Sequence, residues 1–134
     1  MEGLNSMLSA WAPRVLSIVR IMAGLLFLQH GLMKLVGFPI APQNYPQMFS
    51  LIWFAGAIEI VGGILLVIGL FSRFAAFIMS GEMAFAYFMS HAPRAFFPIQ
   101  NNGEAAILFC FVFLYIVFSG PGPWSIDEQR AAKA

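Results

Sequence analysis

Residues 48–71 read MFSLIWFAGAIEIVGGILLVIGLF, an apolar run interrupted by a single acid, Glu59. A helix needs about 20 predominantly apolar residues to cross a bilayer, whereas a barrel strand needs only about 9–11 alternating ones. The run is continuous rather than alternating, so it predicts a membrane-spanning helix. Three further apolar segments flank it. Residues 14–36 contain IMAGLLFLQHGLM, residues 74–91 read FAAFIMSGEMAFAYFMSH, and residues 103–119 end in AAILFCFVFLYIVFS. Their connections are rich in breakers. The stretch 37–47, GFPIAPQNYPQ, holds three prolines, and 92–102, APRAFFPIQNN, adds more prolines and two asparagines. Proline lacks the N–H that a helix interior requires, so neither stretch continues a helix. Ser72-Arg73 leaves room only for a short turn, which makes spans two and three a tight hairpin. Gly120-Pro121-Gly122-Pro123 stops the fourth span. The remainder of the tail over 120–134 is polar and reads as peripheral. The expected fold is all-α: an integral membrane four-helix bundle, one domain over 1–134, with no linker, low-complexity segment or internal repeat.

Composition agrees. Of 134 residues, 60% are hydrophobic and 10% charged, with a mean hydropathy of +0.83. A soluble domain is about 45–50% apolar and about 25% charged, and one this small could not hide the excess. A soluble enzyme, a disordered tail and a disulfide scaffold are all excluded. The net charge of +1 gives no electrostatic case for nucleic acid. Cys110 is the only cysteine, which excludes an intramolecular disulfide, a CxxC redox pair and a cysteine metal site. No secretory signal is expected, because residues 1–13 carry Glu2 and Pro13 and lack a basic start. Arg14, Arg73, Arg130 and Lys133 fall on one side of the predicted topology, against Arg94 and Lys34 on the other. That bias places both termini in the cytoplasm.

Set the flanking charges aside and Arg20, Glu59, Glu82 and Glu104 remain in or near the spans, with His30 among them and Lys34 at a span end. An ionisable group at the bilayer centre costs about 2.5–3.5 kcal/mol, so each needs a partner or a wet cavity. Let Arg14, Phe71, Phe74 and Ser119 mark the cytoplasmic ends. At a rise of about 1.5 Å per residue, Arg20 then lies about 9 Å deep, Glu82 about 12 Å, Glu59 about 18 Å, Glu104 about 22 Å and His30 about 24 Å. These depths predict a lower Arg20–Glu82 ion pair and an upper His30–Glu104 pair.

Helical spacing groups Arg20, Gly24, Phe27, Gly31 and Lys34 on one stripe, Gly56, Glu59 and Gly63 on a second, and Ala75, Ile78, Glu82, Ala86 and Met89 on a third. Glu104, Leu108, Phe111 and Tyr115 form a fourth. Small residues on such stripes let helix backbones approach. Buried polar groups can serve only as interhelical glue. Here, however, three acids face one firm base, which singles out His30, Glu59 and Glu104 as proton-accepting candidates. Arg20, Glu82, Lys34, Phe27, Phe111 and Tyr115 are candidate ligand contacts, although Lys34, like Arg94, reads first as an interfacial snorkelling group. The remaining phenylalanines read as packing or lipid-facing, the tryptophans as interface anchors, and Cys110 as inert. A His30/Glu104 metal site would lack ligands.

The segment Arg20-IMA-Gly24-LLFLQ-His30-Gly31-LM-Lys34 resembles the first-helix pattern of the DoxX family of small bacterial membrane proteins. Glu59-IV-Gly62-Gly63-ILLVI-Gly69-LFS-Arg73 is similar to its second-helix signature. His91-A-Pro93-RA-Phe96-Phe97, Asn101-Asn102-Gly103-Glu104 and Gly120-Pro121-Gly122-PW-Ser125-I-Asp127 resemble its later motifs. Asn102 stands where the first glycine of a Gly-Gly pair is usual, and Ala95 where a glycine before the Phe pair is common. The resemblance implies a multi-pass protein of the bacterial inner membrane and a link to membrane oxidoreductase systems. It further implies a quinone/quinol head group in the polar interior, with Asn101 and Asn102 among its contacts. No haem, flavin or iron–sulfur motif is present, so any redox step would need a membrane oxidoreductase partner or a bound cofactor. The bilayer itself and a second copy of the chain are the other expected partners. Two alternatives stand beside this reading: a non-enzymatic accessory or assembly protein, and a small proton-coupled transporter.

Overall fold

The first apolar segment belongs to a longer helix than its hydropathy suggests. In the computed structural model, which describes residues Met1–Ala134, α1 runs Glu2–Leu35 and carries Pro13 in its interior. Nothing else before Leu35 breaks it, so it starts well ahead of the expected boundary at 14. Helix α2, Leu51–Ile68, is capped by the Ser50 hydroxyl, which accepts the Trp53 N–H at 3.3 Å. It ends at Gly69, whose φ of +71° suits a residue without Cβ. Helix α3, Ser72–Ala86, follows almost at once and continues as a π-helical turn over Tyr87–His91. The short α4, Pro98–Asn101, leads into α5, Glu104–Ser119, and α6, Ile126–Ala131, closes the chain. The protein is all-α, with six helices and no strand. Two of the helices, α1 and α2, are long and apolar enough to cross a membrane.

Helix α1 packs along α2 and α3 along α5, while α2 and α3 meet over a narrower seam. Glycines bring α1 and α2 together as their spacing predicts. A Cβ on Gly31 would lie 2.7 Å from the Gly56 carbonyl oxygen, and one on Gly63 3.0 Å from that of Gly24. The core is small and central, built on Phe27, Leu66, Met79, Phe113 and Ile116. Phe27 meets Phe113 edge-on at 4.9 Å. The outer faces carry bulky apolar side chains such as Phe74, Phe77, Phe88 and Phe118. The apolar excess in the composition thus lies on the surface, where a lipid solvent accepts it and water would not.

Two expectations fail on geometry. The first concerns the tail, which is not peripheral. Pro121 and Trp124 turn their carbonyls onto Arg20, and the Trp124 N–H donates to the Ser17 hydroxyl at 3.1 Å. Asp127 accepts the Phe71 and Ser72 N–H groups, both at 2.8 Å, at the start of α3. Arg73 donates to the Val117 and Phe118 carbonyls at the end of α5. The second concerns α5. Its predicted inward stripe faces outward, with Phe111 and Tyr115 each 63% exposed. The buried face is Ala106, Phe113 and Ile116. Glu104 is the source of the difference. It is the first residue of the helix, so its position does not report which side the helix buries.

Candidate functional site

The polar centre of the molecule rests on the α1–α2 glycine contact. With Gly31 set against Gly56, the last turn of α1 lies beside the middle of α2. Lys34 reaches Glu59 there, with Nζ to Oε1 at 2.6 Å. Glu59 is 2% exposed, yet its Oε2 has no hydrogen-bond partner. From α3, Glu82 comes to the same region, and its buried Oε2 is also unpartnered. These three groups line one cavity of about 590 Å³ between α2 and α3, within the roughly 300–1,000 Å³ range of small-molecule sites. Apolar side chains form most of its wall, among them Phe54, Ile58, Ile78, Phe85 and Met89. The third predicted stripe thus holds in part: Ile78, Glu82, Ala86 and Met89 all face this cavity.

The two predicted ion pairs do not form. Arg20 is fully buried, but its donors go to backbone carbonyls: Nε to Leu66 at 2.8 Å, one terminal nitrogen to Pro121 and the other to Trp124 at 2.6 Å. A helix C-terminus and a proline-rich loop both offer carbonyls with no intrahelical partner, and a guanidinium satisfies several at once. Glu82 is therefore left to the cavity. His30 sets Nδ1 against the Leu26 carbonyl at 2.7 Å and its ring edge-on to Phe109. Glu104 stays exposed at the start of α5, where the unpaired N–H groups of the first turn favour a carboxylate. Neither residue lines the cavity.

The remaining candidates are structural in their contacts. Phe27 is core. Asn101 is buried and satisfied: its amide donates to the Tyr87 hydroxyl and the Ala95 carbonyl, and its side-chain oxygen accepts the Gly103 N–H. The Asn101 carbonyl in turn pairs with His91 Nδ1 at 2.9 Å. Asn102 is exposed with φ +58°, a left-handed conformation that asparagine tolerates better than most residues. Lys34 is the cavity residue that the sequence reading undervalued. Its membership of the Arg20–Gly31 stripe, one turn beyond a glycine contact, was the available signal.

The fold and site together describe an α-helical membrane protein with a charged cavity in an apolar shell. The chain belongs to the DoxX family, whose sequence model matches residues 15–92. It is 45% identical over 127 residues to an uncharacterized protein of Haemophilus influenzae, covering 91% of this chain and 95% of that one. It is 29% identical over 149 aligned positions to an uncharacterized membrane protein of Mycobacterium tuberculosis, covering 96% of this chain and 88% of that one. No solved structure matches it.

Proposed function

We propose that the protein is a quinone/quinol-binding, redox-associated membrane subunit whose head-group site is the Lys34–Glu59–Glu82 cavity. The observation that carries this reading is the pair of buried, unpartnered carboxylate oxygens, Glu59 Oε2 and Glu82 Oε2, at an apolar-walled cavity. An amphipathic ring with oxygen at its edge suits both features. Lys34 spends one N–H on Glu59 and retains others to donate to a ring carbonyl. The two carboxylates can each take a hydroxyl proton, and the apolar wall excludes water from that transfer. Oxidation of a quinol releases two protons and two electrons; the electrons pass to a membrane oxidoreductase partner.

The topology belongs to the same proposal: a four-helix bundle that crosses the bacterial inner membrane, with both termini cytoplasmic. Supporting it, Ser72–His91 rises about 30 Å at about 1.5 Å per residue, close to the hydrocarbon thickness. Arg14, Arg73, Arg130 and Lys133 gather on the cytoplasmic side of that arrangement.

The test is equilibrium binding of a tail-less benzoquinol, kept reduced so that its hydroxyl can donate to Glu59, to the purified protein in nanodiscs. Glu59→Gln keeps an oxygen for Lys34 to donate to but removes the charge, and should weaken saturable binding about tenfold, the effect of losing one charge-assisted hydrogen bond. Absence of saturable binding, or indifference to Glu59→Gln, refutes the proposal.

A further inference from the structure

The charged cavity does not end at its apolar wall. A second cavity of about 310 Å³ lies against it, also between α2 and α3. The two share Phe54, Ile58 and Ile78 as lining, so they adjoin in the same α2–α3 seam. From these shared residues the second cavity runs toward the α2–α3 turn. It passes Ala57, Val61 and Leu65 on α2 and Phe74 and Ala75 on α3. No charged residue lines it. Ala57 on α2 and Ala75 on α3 are small side chains in its lining, while Met79 packs against Gly62 at its base.

A seam with three ionisable groups in one cavity and none in the adjoining one matches a ligand with a polar head and a long apolar chain. We infer that the ligand is tailed: a prenyl- or alkyl-substituted quinone whose head sits at Lys34, Glu59 and Glu82 and whose chain lies in the trough toward the α2–α3 turn. The inference rests on the proposed quinone reading and deepens it, by separating tailed quinones from tail-less ones. Val61 and Phe74 are exposed on the outer surface of the hairpin, so the trough opens sideways onto lipid. A tailed molecule can enter from the bilayer without crossing the protein. Hydrophobic transfer gains little here, because the tail leaves one apolar phase for another. The trough must act through close packing of the chain between α2 and α3.

The experiment compares a tail-less dimethoxybenzoquinone with its decyl-tailed analogue in the same nanodiscs, after correction for partition into the lipid. Three proteins are used: the unsubstituted chain, Ala57→Phe and Val61→Trp. Both substitutions fill the trough from its rim and leave Lys34, Glu59 and Glu82 in place. The expected result is tighter binding of the tailed ligand to the unsubstituted protein. Each filled variant should lose about tenfold for the tailed ligand, from forfeited chain packing, and bind the tail-less one unchanged. Thermal melting of each variant at the unsubstituted temperature shows that the fold is intact. Equal corrected affinities for the two ligands, or filled variants that still hold the tailed one normally, overturn the trough and leave the head-group site standing. Failure of both ligands to bind overturns the head-group reading and the trough with it.

Discussion

Asp127 shows how much one carboxylate can organise. It lies outside the spans, in the first turn of α6, yet it accepts the two N–H groups that open α3. Burial alone would push its carboxyl upward. The hydrogen bonds from Ser72 and Phe71, together with the Arg130 charge, more than reverse this and hold it below the ordinary aspartate value of 3.8. A carboxylate depressed in the folded state adds stability above its unfolded value, and that stability is lost as pH falls through the folded value. The protein should therefore melt at a lower temperature as pH drops below about 4, and Asp127→Asn should flatten that part of the profile. Thermal melts in detergent from pH 6 to pH 3 measure it. A profile for Asp127→Asn that parallels the unsubstituted one would remove Asp127 from this role.

Among the elements, the buried faces of α1 and α2 were legible and that of α5 was not, for a physical reason. On α2, glycines at 56, 62 and 63 and the lone acid at 59 all lie on the buried side. Only one face of an otherwise apolar helix can hold a charge and approach a neighbour closely, so the pattern was unambiguous. Helix α5 is apolar all round and bears its only charge at its first residue, so periodicity had nothing to choose between. The depths of the charged residues could not name their partners. Backbone carbonyls leave no trace in a sequence, and it is carbonyls that Arg20 meets. The α1–α2 contact makes a sharp prediction. A Cβ on Gly31 would press on Gly56 backbone and on Glu59 Cβ at 2.9 Å, whereas a Cβ on Gly81 in α3 meets nothing within 4 Å. Gly31→Ala should destabilise the protein by about 1–3 kcal/mol, the range for overpacking a closed contact. Gly81→Ala should be neutral or stabilise by about 0.5–1 kcal/mol, because alanine restricts the unfolded helix residue. Comparing chemical denaturation of the two in the same detergent decides it. Losses of equal size would mean that α1 and α2 can separate freely.

At the scale of the whole molecule, Arg20 ties together parts of the chain far apart in sequence. Its three contacts join α1 to the end of α2 and to the Pro121–Trp124 loop. The same loop binds Ser17, and the residues beyond it cap α3. The conformation of this closure leaves little freedom. Gly122 has φ +80°, and a Cβ there would lie 2.9 Å from the Pro13 carbonyl oxygen. The closure holds one end of the helix assembly while the cavity lies in the α2–α3 seam beyond it. Arg20→Met keeps much of the bulk but strands the Pro121 and Trp124 carbonyls, since the Leu66 carbonyl keeps the Gly69 N–H, at a cost of about 3 kcal/mol. Deleting 120–134 removes both of those carbonyls and the Asp127 cap together, with a loss of similar size. If the two ends form one lock, the double variant should lose much less than the sum, since each change breaks contacts the other needs. Denaturation free energies of the four proteins give the coupling directly. Trypsin supplies a second readout: cleavage at Arg130 should accelerate in Arg20→Met, where the tail is released. Additive losses, together with unchanged cleavage, would show that Arg20 and the tail stabilise the protein separately.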